Sequence, residues 1–127
     1  MQEGQTSDLT EIFRRLNNRI EKTIDTAVSN RAVAARYGKR YIAYEAGQHV
    51  VLPYNVPLTV LIQRDPRMYG TYKHYIEAWR QRVGDTLMLF ADVSTIRTSG
   101  AWGLAERNGQ PISETPKLRA VLEERHQ

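Results

Sequence analysis

Cysteine is absent from the 127 residues of this chain. Its absence excludes disulfide bonds, thiol nucleophiles and cysteine-based metal sites. No apolar run approaches the ~20 residues that a membrane-spanning helix needs. Residues 1–5 carry neither the basic nor the apolar segment of a secretory signal. We therefore expect a soluble protein without a membrane partner, located in the cytoplasm or in a particle assembled there.

Lysine is also scarce, and basic residues are only in modest excess over acidic residues. The chain has 18 Lys and Arg residues against 14 Asp and Glu, a net charge of +4, and most of the basic residues are arginine. The hydrophobic fraction of 41% and the charged fraction of 25% are ordinary for a folded domain. Because domains cluster near roughly 100–150 residues, we predict a single domain over 1–127.

The first third of the chain predicts a long amphipathic helix. Asp8 and Glu11 have the spacing of a capping box, with Asp in place of the usual Ser or Thr. Apolar residues then recur at steps of three and four, from Leu9 to Val28. A second short helix is predicted from Arg31 to Tyr37, ending at Gly38. The segment 8–37 is therefore expected to be helical.

The middle of the chain, 40–113, predicts a sheet with a helix inserted in it. Period-2 alternation, continuous apolar runs and turn residues indicate strands. The predicted strands are 41–44, 49–52, 58–62 and 86–91, with a further hairpin around Asn108-Gly109. A helix over 68–83 separates strands 3 and 4, and a last helix over 115–126 has Pro116 at its first position. The fold class predicted is α+β, with a mainly antiparallel sheet of about five strands.

Sequence signatures of catalysis are missing. There is no Walker A motif, no Gly-x-Gly-x-x-Gly and no Gly-x-Ser-x-Gly. The three histidines, His49, His74 and His126, do not pair at the spacings of a zinc site. We therefore predict that the protein is not an enzyme and takes no cofactor and no metal.

Our leading hypothesis is a structural subunit of a larger assembly. Two apolar helical seams are a large apolar surface for one small sheet to cover, and tyrosine and tryptophan are enriched at interface anchors. A viral or phage particle component is one concrete form, with a second copy of the chain or another subunit as partner. The predicted interface residues are Leu9, Phe13, Leu16, Ile20, Tyr72, Trp79 and Trp102.

The alternative hypothesis is a nucleic-acid-binding module. Two basic zones would contact phosphates, and Tyr41 or Tyr44 would stack on bases. A helix-turn-helix around Gly38 and an OB-like barrel are two frames that could carry such contacts. This hypothesis is favoured if both basic zones lie on one face of the protein. The assembly hypothesis is favoured if the zones lie on different faces and helix 1 has exposed apolar residues. The predicted phosphate-binding residues are Arg31, Arg36, Lys39, Arg40, Arg64 and Arg67.

Overall fold

The computed structural model describes residues 8–125, and helices dominate that part of the chain. The four helices are α1 (Leu9–Arg36), α2 (Val56–Arg64), α3 (Arg67–Arg82) and α4 (Pro116–Glu124). Two short strands, β1 (Ala43–Ala46) and β2 (Leu87–Leu89), and a 3₁₀ turn at Ile112–Glu114 complete the order α1-β1-α2-α3-β2-3₁₀-α4.

Helix α1 is one continuous helix of 28 residues rather than two. The side chain of Asp8 caps it by accepting a hydrogen bond from the backbone N–H of Thr10 at 2.9 Å. Ser29, at the expected break, donates its hydroxyl to the carbonyl of Asp25 one turn earlier and so stays within the helix. The helix ends before Gly38, whose φ of 65° is favourable only for glycine.

The prediction of about five mainly antiparallel strands is wrong. Among residues 8–125 the structure has a single two-stranded sheet, in which β1 and β2 run parallel. Ala43 lies opposite Leu87 and Ala46 opposite Leu89, with a bulge between the two pairs. Helices α2 and α3 form the connection between the strands, because parallel strands need a long crossover rather than a tight turn.

The segment 49–52, expected as the second arm of a hairpin, is not a strand because side chains bind its backbone. The side-chain oxygen of Gln48 accepts from the N–H of Val50 at 2.8 Å. The amide of Gln63 donates to the carbonyl of Val50 at 2.8 Å, and the hydroxyl of Thr59 accepts from the N–H of Leu52 at 2.9 Å. These bonds replace the ladder that a neighbouring strand would provide.

The segment 58–62, expected as a strand, is the centre of helix α2. Asn55 caps this helix by accepting a hydrogen bond from the N–H of Leu58 at 3.1 Å, and Pro57 lies in its first turn. The buried residues Thr59, Ile62 and Gln63 follow helical spacing. The cap and the one-sided burial therefore outweigh the β-branched composition of the segment.

The two remaining sheet segments are also shorter or absent. The expected strand 86–91 shrinks to β2, and Met88 is exposed, so the strand is not buried on both faces. Asn108-Gly109 does form a turn, in which Gly109 has a φ of 75°. No hairpin strands flank it within the described chain, because the side chain of Gln110 accepts the hydrogen bond of the Glu106 N–H.

The core consists of two apolar clusters arranged along α1. The first joins Ile12 and Phe13 of α1 to α2, α3 and α4, and the second joins Ile20, Ile24 and Ala27 to Trp79 of α3. Helices α1 and α3 contribute to both clusters and so form the frame of the molecule. Within residues 8–125, none of the helices combines the length and apolarity needed to cross a bilayer.

Candidate nucleic-acid interface

Most of the predicted interface residues lie in the core of this same chain. Phe13, Ile20, Tyr72 and Trp79 are buried, and Leu9 and Leu16 are half-buried against the first cluster. Their apolar surface is therefore covered by the chain itself, through the packing of α1 on α3.

Trp102 lies apart from these core residues. Its ring stacks on His49 with centroids 4.8 Å apart, and it meets the edge of Phe90 at 5.8 Å. Trp102 is half-buried, whereas both of its ring partners are exposed. This geometry gives it a local packing role on the surface.

The C-terminal end of α1 extends beyond the packed body of the protein. The last buried side chain of the helix is Ala27, and from Ser29 to Tyr37 every residue except the half-buried Ala34 is exposed. Tyr37, which follows the helix, is 75% exposed. The helix thus presents more than two turns to solvent.

Positive charge is concentrated at this exposed end. No Asp or Glu occurs between Asp25 and Glu45, while four Lys and Arg residues do. Four of the chain's 18 basic residues therefore lie here, which leaves 14 to balance the 14 acidic ones. The entire net charge of +4 corresponds to this one segment.

Three of these cations line a groove, which we call the basic groove. It has a volume of about 390 Å³ and lies between the end of α1 and the chain that returns after Gly38. Arg31 projects from the helix, and Lys39 and Arg40 come from the returning chain. The full lining is Val28, Arg31, Ala32, Ala35, Lys39, Arg40, Tyr41 and Asp85.

One cation of the basic groove is already paired. Arg40 holds Asp85 with two hydrogen bonds, Nε to Oδ2 at 3.1 Å and Nη2 to Oδ1 at 2.5 Å. The hydrogen bonds from Arg40 lower the pKa of Asp85 to about 2, so this carboxylate stays ionised above that pH. Arg31, Arg36 and Lys39 make no ion pair with any residue in 8–125.

Of the two tyrosines predicted to stack on bases, Tyr41 lines the groove and Tyr44 does not. Tyr41 packs one ring face on Trp79, with centroids 6.1 Å apart, and its hydroxyl accepts a hydrogen bond from Asn30. Tyr44 is exposed, but it lies on β1. Tyr37 is exposed beside Arg36 and does not line the groove.

Arg64 and Arg67 do not join this site. Arg64 binds Glu106 through two hydrogen bonds of 2.8 and 2.7 Å. Arg67 binds Asp65, lies over the ring of Phe13 and donates to the hydroxyl of Thr10. Thr10 is at the opposite end of α1 from Arg31, about 30 Å away at 1.5 Å per residue. The structure therefore does not bring the two basic zones together.

The two frames considered for nucleic-acid binding are not formed. A second helix would follow the turn in a helix-turn-helix, but here the turn at Gly38 leads into β1. A two-stranded parallel sheet is not an OB-type barrel. Among the described residues, no group of three His, Asp or Glu side chains is placed to hold a metal ion.

Comparison with known proteins finds no match: no protein-family model, no curated protein and no solved structure is detectably similar to this chain. Inferences about its function therefore rest on its own residues and their geometry. Of the features described, the basic groove combines exposure, shape and an unbalanced charge. It is the strongest candidate for a functional surface.

Proposed function

We propose that this protein binds the phosphate backbone of nucleic acid through the basic groove and the exposed end of α1. The observation that carries the proposal is the concentration of the whole net charge of +4 in one exposed segment. A clustered basic surface attracts a polyanion much more strongly than the same charges scattered among acids.

The shape of the segment suits a phosphate backbone. The exposed end of α1 spans eight residues, or about 12 Å of helix length, and the DNA major groove, ~12 Å wide, admits an α-helix. Arg31 and Arg36 carry the planar guanidinium that binds phosphate with two hydrogen bonds. Such contacts fix position on the nucleic acid without reading its sequence. We therefore infer binding that is independent of base sequence.

The first test is salt-dependent binding measured by fluorescence anisotropy. Labelled duplex DNA, single-stranded DNA and RNA of equal length are titrated with the protein at about 50 to 200 mM salt. Contacts by up to four cations predict a slope of about −3 to −4 in log affinity against log salt for duplex DNA, or roughly a 100-fold loss over this range. Lack of binding to all three at the lowest salt would refute the proposal.

A pair of matched variants assigns the binding to the correct surface. Arg31→Gln with Arg36→Gln removes two charges from the end of α1, and Arg64→Gln with Arg67→Gln removes two from the other basic zone. The first variant should lose at least about 10-fold in affinity and flatten the salt slope by about 2. The second should change both much less. Equal losses would mean that net charge alone, and not this surface, attracts the nucleic acid.

A second candidate function is self-assembly through the outer face of the small sheet. Ala43 and Leu87 pack towards the second core cluster, so the alternation of strand side chains turns Tyr44 and Met88 outward. Both are exposed, as are Ile42 and Phe90 at the ends of the strands. Adjacent exposed apolar residues are typical of protein contact sites. This surface is a candidate interface in addition to the helix residues that the sequence predicts.

Light scattering after size-exclusion chromatography tests the second candidate. The wild-type protein should run at twice 14.6 kDa or more at micromolar concentration, and Tyr44→Ser with Met88→Ser should restore the mass of 14.6 kDa. Tyr54→Ser is the control, because Tyr54 is a fully exposed tyrosine in the turn before α2 and not in either strand. A wild-type monomer at every concentration would exclude assembly through this face.

A further inference from the structure

The outer edge of β2 is not paired with any other part of the described chain. On its inner edge, the carbonyl of Thr86 and the N–H of Phe90 both form hydrogen bonds with β1. Because neighbouring residues of a strand direct their backbone groups to opposite edges, the N–H and C=O of Leu87 and Leu89 point away from β1. These groups make no hydrogen bond within residues 8–125. They are spaced as an added strand would need them.

This edge also lacks the usual protection against pairing with another strand. Native proteins protect open edges with lysine, with proline or with a bulge in the edge strand. Residues 86–91 contain no charged residue and no proline, and the extra residue of the bulge lies in β1. An unprotected apolar edge is typical of proteins that accept an extended peptide as an additional strand.

A groove of about 340 Å³ runs along the same edge. Its lining includes Leu87 and Leu89 but no residue of β1, so it lies on the side of β2 where the unpaired backbone groups are. Ile76 and Trp79 of α3 and Val121 of α4 form its apolar floor. Since α4 packs on α3, the two helices continue beneath the space that a third strand would occupy. The inward side chains of that strand would rest on them.

The exposed charge at this groove is positive. Arg80 and Arg125 line it, and 42% of the Arg80 side chain is exposed. Both carboxylates of the lining are already paired. Glu124 is 1% exposed and accepts from Arg80 at 2.7 Å, and Asp85 is held by Arg40. A ligand that carries acidic residues therefore complements the rim of the groove.

We propose that this groove binds an extended acidic peptide of a partner protein as a third strand of the sheet, in the order β1-β2-peptide. The peptide backbone pairs with Leu87 and Leu89, its alternate apolar side chains pack on α3 and α4, and a flanking carboxylate lies at Arg80 and Arg125. In this binding mode the backbone supplies affinity and the alternate side chains supply specificity. The site is the edge of the sheet rather than its outer face, and it depends on neither function proposed above.

Fluorescence anisotropy with a labelled synthetic peptide and the full-length protein tests the proposal. The probe is a hexapeptide of alternating valine and threonine with an aspartate added at each end. We expect saturable binding with a Kd on the order of 0.1 mM at ~50 mM salt. The matched probe with a lysine at each end should bind at least about 10-fold more weakly. In NMR spectra of labelled protein, the aspartate peptide should shift the amide signals of Leu87 and Leu89.

N-methylation of single peptide bonds in the probe tests backbone pairing without any change to the protein. A methyl group on an amide that faces β2 removes a hydrogen bond and prevents close approach, whereas on the next residue it points away from β2. Of two aspartate peptides methylated at adjacent central residues, one should lose at least about 10-fold in affinity and the other should change little.

A pair of protein variants tests the positive rim. Arg125→Gln removes a cation from the groove and should weaken the aspartate peptide about 3- to 10-fold. Arg97→Gln removes the same charge at an exposed position outside the groove and should leave the affinity unchanged. Arg80 is not replaced, because its loss would deprive the buried carboxylate of Glu124 of its closest partner.

Four results would overturn the proposal. The aspartate peptide could fail to saturate at about 1 mM protein. Both methylated peptides could bind as well as the parent, which would show that the backbone is not paired. Equal weakening by Arg125→Gln and Arg97→Gln would show that net charge alone attracts the peptide. A dimer in light scattering that excludes the peptide would assign this edge to a second copy of the chain.

Discussion

The two ends of α1 have the same backbone structure and opposite surroundings. From Leu9 to Val28 the helix supplies side chains to both core clusters, whereas from Ser29 to Arg36 it is almost entirely exposed. The exposed end is rich in alanine, which keeps it helical without tertiary support. Packing therefore explains the first part of the helix but not the second, whose residues Arg31 and Arg36 form no ion pair within residues 8–125.

Removing a buried methyl-rich side chain should give the largest effect. Ile24 is 0% exposed in the second core cluster, so Ile24→Ala should lower the free energy of unfolding by about 2–5 kcal/mol. Val33, on the exposed end, is 49% exposed, so Val33→Ala should change it by no more than about 0.5 kcal/mol. Urea unfolding followed by circular dichroism measures both. A cost above about 1 kcal/mol for Val33→Ala would show that the end of α1 is packed against something.

The packed part of the protein contains a buried cation, in contrast to the exposed cations at the end of α1. Lys117 is 4% exposed, and its amine donates to the side-chain oxygen of Gln63 at 2.8 Å and to the carbonyl of Ala101 at 3.4 Å. Burial lowers the pKa of Lys117 to about 8, against a weaker opposing effect of Glu106. No carboxylate in residues 8–125 pairs with it directly, so its positive charge is costly where it lies.

This burial predicts stability that increases with pH. The folded pKa lies below the unfolded value of 10.5, so between about pH 8 and 10.5 the unfolded chain binds the extra proton. The destabilising contribution is complete below pH 8 and disappears as the pH rises through that window. Relative to Lys117→Met, the wild type should gain about 2 kcal/mol between about pH 7.5 and 9.5 in urea unfolding. A constant difference over this range would show that the amine is not desolvated.

The sequence predicts the helices better than the sheet, for a physical reason. The spacing of Tyr72, Trp79 and Val83 predicts α3 to within one residue at each end, because one helix face is buried continuously. The conformation of the segment 49–52 depends on the side chains of Gln63 and Thr59, which belong to α2, later in the chain. Alternation within the segment carries no information about those bonds.

The candidate sites show the same limit. A run of cations without acids marks the basic zone in the sequence, and three of its residues line the basic groove because Arg31 and Arg40 are close in sequence as well as in space. The separate position of Arg64 depends on Glu106, which is 42 residues away.

The smallest expected effect concerns the single carboxylate in the basic groove. Asp85→Asn removes the negative partner of Arg40, so the groove gains one unpaired cation. Affinity for duplex DNA should rise by about 3- to 10-fold at ~50 mM salt, and the salt slope should steepen by about 0.9. Because exposed ion pairs contribute little, the free energy of unfolding should fall by less than about 1 kcal/mol.

A charge-matched control separates the groove from general electrostatics. Asp92→Asn adds the same charge at an exposed position outside the basic groove. If the phosphates lie in the groove, anisotropy titrations should show a clear gain for Asp85→Asn and little for Asp92→Asn. Equal gains would mean that the protein attracts nucleic acid through its overall charge. In that case the contrast between the packed and exposed ends of α1 would have structural but no functional meaning.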